Sequence, residues 1–156
     1  MSTFMNTLLF ATDFSQESIK AAKVARELAD LAQAKLYVAN VVALLQHSHS
    51  WSALTLASRV NVEEVDRELI SRCRQQLQNF IDQHLSPGPG DHFTIEPMVF
   101  SGASIPNVII GQSMALGVKT IILATHGRTG IDRALAGSVA EHVVRASPIP
   151  VLTVHG

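Results

Sequence analysis

An α/β fold built on a parallel sheet is the architecture this sequence predicts, and two observations predict it. Apolar residues gather in short runs, Leu8-Leu9-Phe10-Ala11 and Ile121-Ile122-Leu123 among them, as in strands buried on both faces. Between the runs lie segments whose apolar residues recur at helical spacing. Strands that alternate with helices pair in parallel through right-handed crossovers, and the helices cover both faces of the sheet. The 156 residues suit one domain, 1–156. A chain of this length buries roughly 70% of its unfolded surface, enough for a core without staples.

The elements follow in order. Met5 to Thr12 reads as a buried strand that ends at Asp13. Ser15 to Ala34 reads as a helix, with Ser15 as its cap and an apolar stripe at Ile19, Ala22, Ala25, Leu28 and Ala32. Lys35 to Val42 is a second strand, and Ala43 to Arg59 a loop with some helix, holding His47, His49 and Trp51. Val60 to Leu85 is a long helix whose stripe is Val62, Val65, Leu69, Cys73, Leu77 and Phe80. Glu63 with Arg67, and Glu68 with Arg72, are opposite charges four apart on its wet side. Ser86-Pro87-Gly88-Pro89-Gly90-Asp91 breaks it.

Phe93 to Phe100 is a third strand, which Pro97 assigns to a sheet edge. A helix from Ile105 to Leu116 tolerates Pro106 in its first turn and stops at Gly117. Val118 to Thr125 is a fourth strand, His126 to Ala136 a loop, Gly137-Ser138 the opening of a last helix to Ala146, and Val151 to Val154 a fifth strand.

Composition narrows the function classes. Hydrophobic residues make up 47% and charged residues 16%, yet no run approaches the roughly 18–20 apolar residues of a membrane helix. Met1 to Phe14 shows no basic region and no cleavage-like site, so a cytoplasmic protein without membrane insertion is expected. The single cysteine, Cys73, allows no internal disulfide. A net charge of -1 argues against nucleic acid as a partner but permits a small anion at a local site.

Candidate chemistry lies where strands end. Thr12-Asp13-Phe14-Ser15 follows the first strand, and open parallel sheets bind ligands just outside such ends at a topological switch point. Asp13 could accept hydrogen bonds from a ribose hydroxyl, or simply hold a turn and a helix cap. Ala124 to Gly130, with Thr125, His126, Gly127 and Arg128, leaves the fourth strand, and Gly137-Ser138-Val139 opens the next helix. Glycines let backbone N–H groups approach an anion, a helix amino end favours negative charge, and Arg128 could add a charge-assisted contact. The spacing is neither a Walker loop nor GxGxxG. Ser138 with Glu141 also fits a capping box, in which the carboxylate turns back onto the helix start. His47 and His49 lack a Cys or acidic partner at zinc-like spacing, so no metal site is expected. There is no G-x-S-x-G elbow, and Cys73 falls on an apolar stripe, so no catalytic nucleophile is expected.

Taken together, these segments resemble the universal stress protein family over nearly the whole chain. The resemblance rests on LLFATDFS (Leu8 to Ser15), the Val41-Val42 strand end, ATHGRTG (Ala124 to Gly130), AGSVAEHVVR (Ala136 to Arg145) and the closing SPIPVLTV. The ATP-binding branch of that family carries Gly-x2-Gly-x9-Gly-[Ser/Thr]. Gly127 and Gly137-Ser138 match its last two elements, and Ala124 replaces the first glycine. The resemblance implies an open five-stranded sheet of order 3-2-1-4-5, in an adenine-nucleotide alpha-hydrolase-like fold. It implies ATP with Mg²⁺ as ligand: Asp13 beside the nucleoside, Val41 offering backbone groups to the adenine edge, and His126, Gly127, Gly137, Ser138 and Val139 around ribose and phosphates. Thr12, Thr125 and Arg128 complete the candidate set. It also implies a homodimer through the last strand, with a regulatory protein partner left open.

Three functions are weighed. The leading one is an ATP-binding stress-response regulator that is not an enzyme, or at most a slow ATP hydrolase, since no Walker lysine is present. A nucleotidyl-transfer enzyme using His126 and Arg128 is a second. A protein-interaction module that no longer binds nucleotide, which Ala124 leaves open, is a third.

Overall fold

The computed structural model describes residues 5–44, 62–125 and 138–155, without the side chains of Val62 and Ser138. In order come β1 (Thr7–Ala11), α1 (Gln16–Leu31), β2 (Lys35–Val42), α2 (Val62–His84), β3 (Thr94–Ser101), α3 (Ile105–Ala115), β4 (Thr120–Thr125), α4 (Ser138–Ala146) and β5 (Val151–His155). All strand pairs are parallel, in the order β3-β2-β1-β4-β5. That is the expected sheet. Of the expected loop at 43–59, residues 45–59 lie outside the described residues, with His47, His49 and Trp51, and so does the whole expected loop at 126–136.

β1 holds the centre, with Leu9 opposite Tyr37 of β2 on one side and Ile121 of β4 on the other. Leu8, Leu9 and Phe10 are fully buried, because a central strand has helices over both faces. Alternation sends Leu8 and Phe10 to one core with Ala21, Ala22, Ala25 and Ala29 of α1 and with Leu77, Phe80 and Ile81 of α2. Leu9 points to a second core with Ile121, Leu123, Ile109 of α3, and Ala140 and Val143 of α4. Burying each such Leu, Ile or Phe contributes about 1.5–3 kcal/mol. Pro97 falls on the edge strand β3, opposite Val38, where a missing N–H is tolerated.

The caps follow the sequence. Ser15 caps α1, its side chain accepting from the Ser18 N–H at 3.2 Å. Pro106 sits in the first turn of α3, and Gly117, with φ +66°, follows its end.

Two details of α2 depart from the expected stripe. Val65 is 37% exposed, whereas Asp66 is only 4% exposed. At about 100° per residue, Asp66 lies roughly 20° from the direction of Leu77, and Val65 roughly 120° away. The packed face follows that geometry rather than the apolar spacing. On the wet side Arg72 pairs with Glu68 as expected, but Arg67 donates from Nε to the Glu63 backbone carbonyl at 3.1 Å.

Candidate functional site

β1 stops where its backbone stops pairing on both sides. The Thr12 N–H still reaches the Ala39 carbonyl at 2.9 Å. The Thr12 carbonyl is taken by Nδ2 of Asn40 at 2.8 Å, and both residues are buried. A buried amide and carbonyl each need a partner, so this bond fixes where the chain leaves the sheet. Phe14 then adopts φ 65°, a left-handed conformation that costs a non-glycine residue about 1–2 kcal/mol. Its N–H donates to the Thr12 hydroxyl at 3.0 Å, and its ring meets Phe80 edge-on at 5.7 Å, which offsets the strain.

That turn presents Asp13 at the strand end. Oδ1 accepts from the Ser15 N–H at 3.0 Å and from the Ser18 hydroxyl at 2.7 Å. Partial burial pushes the Asp13 carboxyl up, but the side-chain bonds from Ser15 and Ser18, with backbone N–H donors, outweigh it and hold the group below the usual carboxylate range. Asp13 is therefore ionised at neutral pH. It braces the turn, and both of these bonds come to one oxygen.

Thr12, Asp13, Val41, Thr125 and Val139 all line one cleft of about 260 Å³ at the carboxyl ends of β1, β2 and β4. The structure thus brings together residues that are as much as 127 positions apart in the chain, at the switch point between β1 and β4. His126, Gly127, Arg128 and Gly137 lie outside the described residues. Ser138 is the first residue of α4. Ile105 and Ile109 of α3 and Ala140 of α4 add apolar walls that sequence reasoning did not single out. Asn40 was missed as well; a polar residue inside the run LYVANVV was its only signal.

The cleft lining is electrostatically mixed. Asp13 and Glu17 give it acidic groups. Val139 and Ala140 bring in the first turn of α4, where the helix dipole favours an anion. The Glu141 carboxylate meets Arg145 at 2.7 Å, one turn further on, and the Ser138 side chain of the expected capping box lies outside the described residues. Ala124, which stands in place of a motif glycine, lines the cleft while packing against the core shared with α1 and α2. It is not among the positive-φ residues, so its methyl group adds no backbone strain.

Among the described residues no group of three or more His, Cys, Asp or Glu side chains could hold a metal ion. Cys73 is half-buried, and burial pushes its thiol up, away from the reactive thiolate. No helix among the described residues is long and apolar enough to cross a membrane.

An open parallel sheet with a cleft at its central switch point defines a protein of the doubly wound α/β class. Residues 5–155 match the family model described as the universal stress protein family, and the chain belongs to that family. It is 27% identical over 159 aligned positions to universal stress protein MJ0577 of Methanocaldococcus jannaschii, covering 99% of this chain and 97% of that protein. The solved structure of MJ0577 superposes with a TM-score of 0.73 at 22% identity, over 98% of this chain and 97% of the other. A universal stress protein solved in complex with cAMP gives 0.65 at 21% identity, over 98% of both chains. One from Archaeoglobus fulgidus in complex with dAMP gives 0.57 at 16% identity, over 96% of this chain and 97% of the other. At these identities the superpositions establish the shared fold.

Proposed function

We propose that this universal stress protein is a regulatory protein that binds ATP, with Mg²⁺, in the cleft between Asp13 and α4. One observation carries the reading: an ionised carboxylate, braced through Oδ1, and the first turn of α4 line one apolar-walled cleft. A nucleoside triphosphate has the matching polarity. Its ribose hydroxyls donate to a carboxylate, its base fills an apolar slot beside Val41, Ile105 and Ile109, and its phosphates accept N–H groups at the start of α4. The reverse orientation would set phosphates against Asp13 and Glu17. The family membership and the cAMP and dAMP complexes of structural relatives support an adenine nucleotide. Turnover is not part of this reading: the sequence has no Walker lysine to serve a γ-phosphate.

The working unit in this reading is a homodimer. Among the described residues β5 stands at a sheet edge, paired with β4, and its Val151, Leu152 and Val154 are only partly buried. An unpaired apolar edge invites a partner strand, and antiparallel pairing of two copies about a two-fold axis is self-complementary. Calorimetry with nucleotide-free protein tests the binding claim. One ATP per chain, with GTP weaker, is the expected result; no heat at millimolar ATP would overturn it.

A further inference from the structure

The carboxyl ends of β4 and β5 carry a hydrogen-bonded polar pair beside the cleft. Thr125 and His155 face each other in register, and Thr125 Oγ1 lies 2.7 Å from His155 Nδ1. Alternation along β4 places Thr125 on the same face as Ile121 and Leu123, which is the face covered by α3 and α4. His155 shares that face with Val151, four residues back along β5. Thr125 lines the cleft, while His155 is exposed to solvent.

A hydroxyl has one proton and two lone pairs, and the neighbouring ring decides how they are used. When His155 is neutral with Nδ1 as acceptor, the Thr125 proton is spent on the ring, and the hydroxyl can only accept from a ligand. When His155 is protonated, Nδ1–H donates to Oγ1, and the Thr125 proton is released toward the cleft. From that neutral tautomer, protonation converts Thr125 from an acceptor into a donor; from either tautomer it adds a positive charge one residue from the site. Both changes favour an anionic oxygen. We propose that His155 is a positioning residue that makes binding of a phosphate-bearing ligand proton-linked through Thr125. This rests on the nucleotide reading above and adds to it the residue that tunes the phosphate end.

Among the described residues of α3, α4 and β4, the other charged or titratable groups have partners of their own. On α4, Glu141 and Arg145 pair with each other, and His142 bonds Asn107 at 3.2 Å. α3 carries no charged residue, nor does β4. Asp13 and Glu17 line the cleft and oppose an added phosphate at all pH values where they are ionised.

Imidazole changes charge between about pH 5 and 8. An anion favours the protonated ring, so binding takes up a proton and tightens as pH falls through that range. The test is calorimetry of ATP binding from pH 6 to pH 8 on the wild type and on His155→Gln. Gln at 155 retains a polar side chain for Thr125 but cannot titrate. The γ-phosphate of ATP titrates identically against both proteins, so their difference isolates residue 155. An exposed charge contact of this kind predicts that the wild-type affinity gains about threefold over the variant between pH 8 and pH 6. Thr125→Val, which removes the hydroxyl, should lose most of that gain. ATP binding with parallel pH profiles for wild type and His155→Gln would overturn the inference while leaving the nucleotide site standing. Absence of ATP binding at every pH would overturn both.

Discussion

Asp13→Asn separates the two tasks the structure gives to Asp13. The substitution is isosteric, and the amide oxygen can still accept from the Ser15 N–H and the Ser18 hydroxyl at the positions of Oδ1. What changes is charge and the second atom, which becomes an N–H donor where the carboxylate offered an acceptor. Hydrogen bonds to charged groups contribute about 1.5–3 kcal/mol and neutral ones about 0.5–1.5, so the fold should lose about 1 kcal/mol, less after discounting for solvent exposure. For a domain of this size that lowers Tm by about 2–4 °C. The ligand should lose more. A ribose hydroxyl that donated to the carboxylate would meet a donor, at about 1.5–3 kcal/mol, or roughly tenfold to a hundredfold in Kd. Stability also acquires a pH signature. The folded-state pKa of Asp13 is lowered, so its contribution is complete above the unfolded-state value near 3.9 and disappears as pH falls through the folded-state value. The difference in stability between wild type and Asp13→Asn should be constant from pH 5 to 7 and shrink below about pH 4. Thermal melts at several pH values and ATP calorimetry at pH 7.5 make the assay. A lowered Tm with unchanged ATP affinity would show that Asp13 only braces the turn and would refute its place at the nucleoside.

Leu152→Lys should weaken the homodimer, because a charge on each copy enters a partly apolar edge contact. Leu152 also packs against the core of α1 and α2, so melting is followed beside light scattering on a sizing column; a folded variant that dimerises as tightly as wild type would count against the β5 contact. Phe80→Ala removes a 6% exposed ring that stacks on Phe10 at 6.4 Å and supports Phe14 at 5.7 Å. It should cost about 3–5 kcal/mol of stability, read by denaturant unfolding. A loss below 1 kcal/mol would mean that the core under the Asp13 turn does not rest on this ring.

Much of this fold is written in local signals. Leu8-Leu9-Phe10 and Ile121-Ile122-Leu123 are buried on both faces, and unbroken apolar runs say so directly. Ser15 and Pro106 mark helix starts because their chemistry serves unpaired N–H groups or a fixed φ, and both stand there. What was not legible depends on partners distant in sequence. Ser18 is 2% exposed because its hydroxyl serves Asp13, and a serine on a helix gives no such hint by itself. Asn40 is buried because its amide finds the Thr12 carbonyl across 28 positions. The Thr125–His155 pair exists only through the register of β4 on β5, which helical and strand periodicity do not specify. The Glu141–Arg145 pair, four apart on α4, is legible from spacing alone.

The most direct measurement is a crystal structure of this protein grown with ATP and Mg²⁺. The account predicts one nucleotide per chain, with its base beside Val41 and Ile109, a ribose hydroxyl on Asp13, and phosphates at the first turn of α4. Nucleotide density elsewhere, as in the groove between α2 and β3 beside Arg74, Gln78 and Met98, or an empty cleft at saturating ATP, would contradict it.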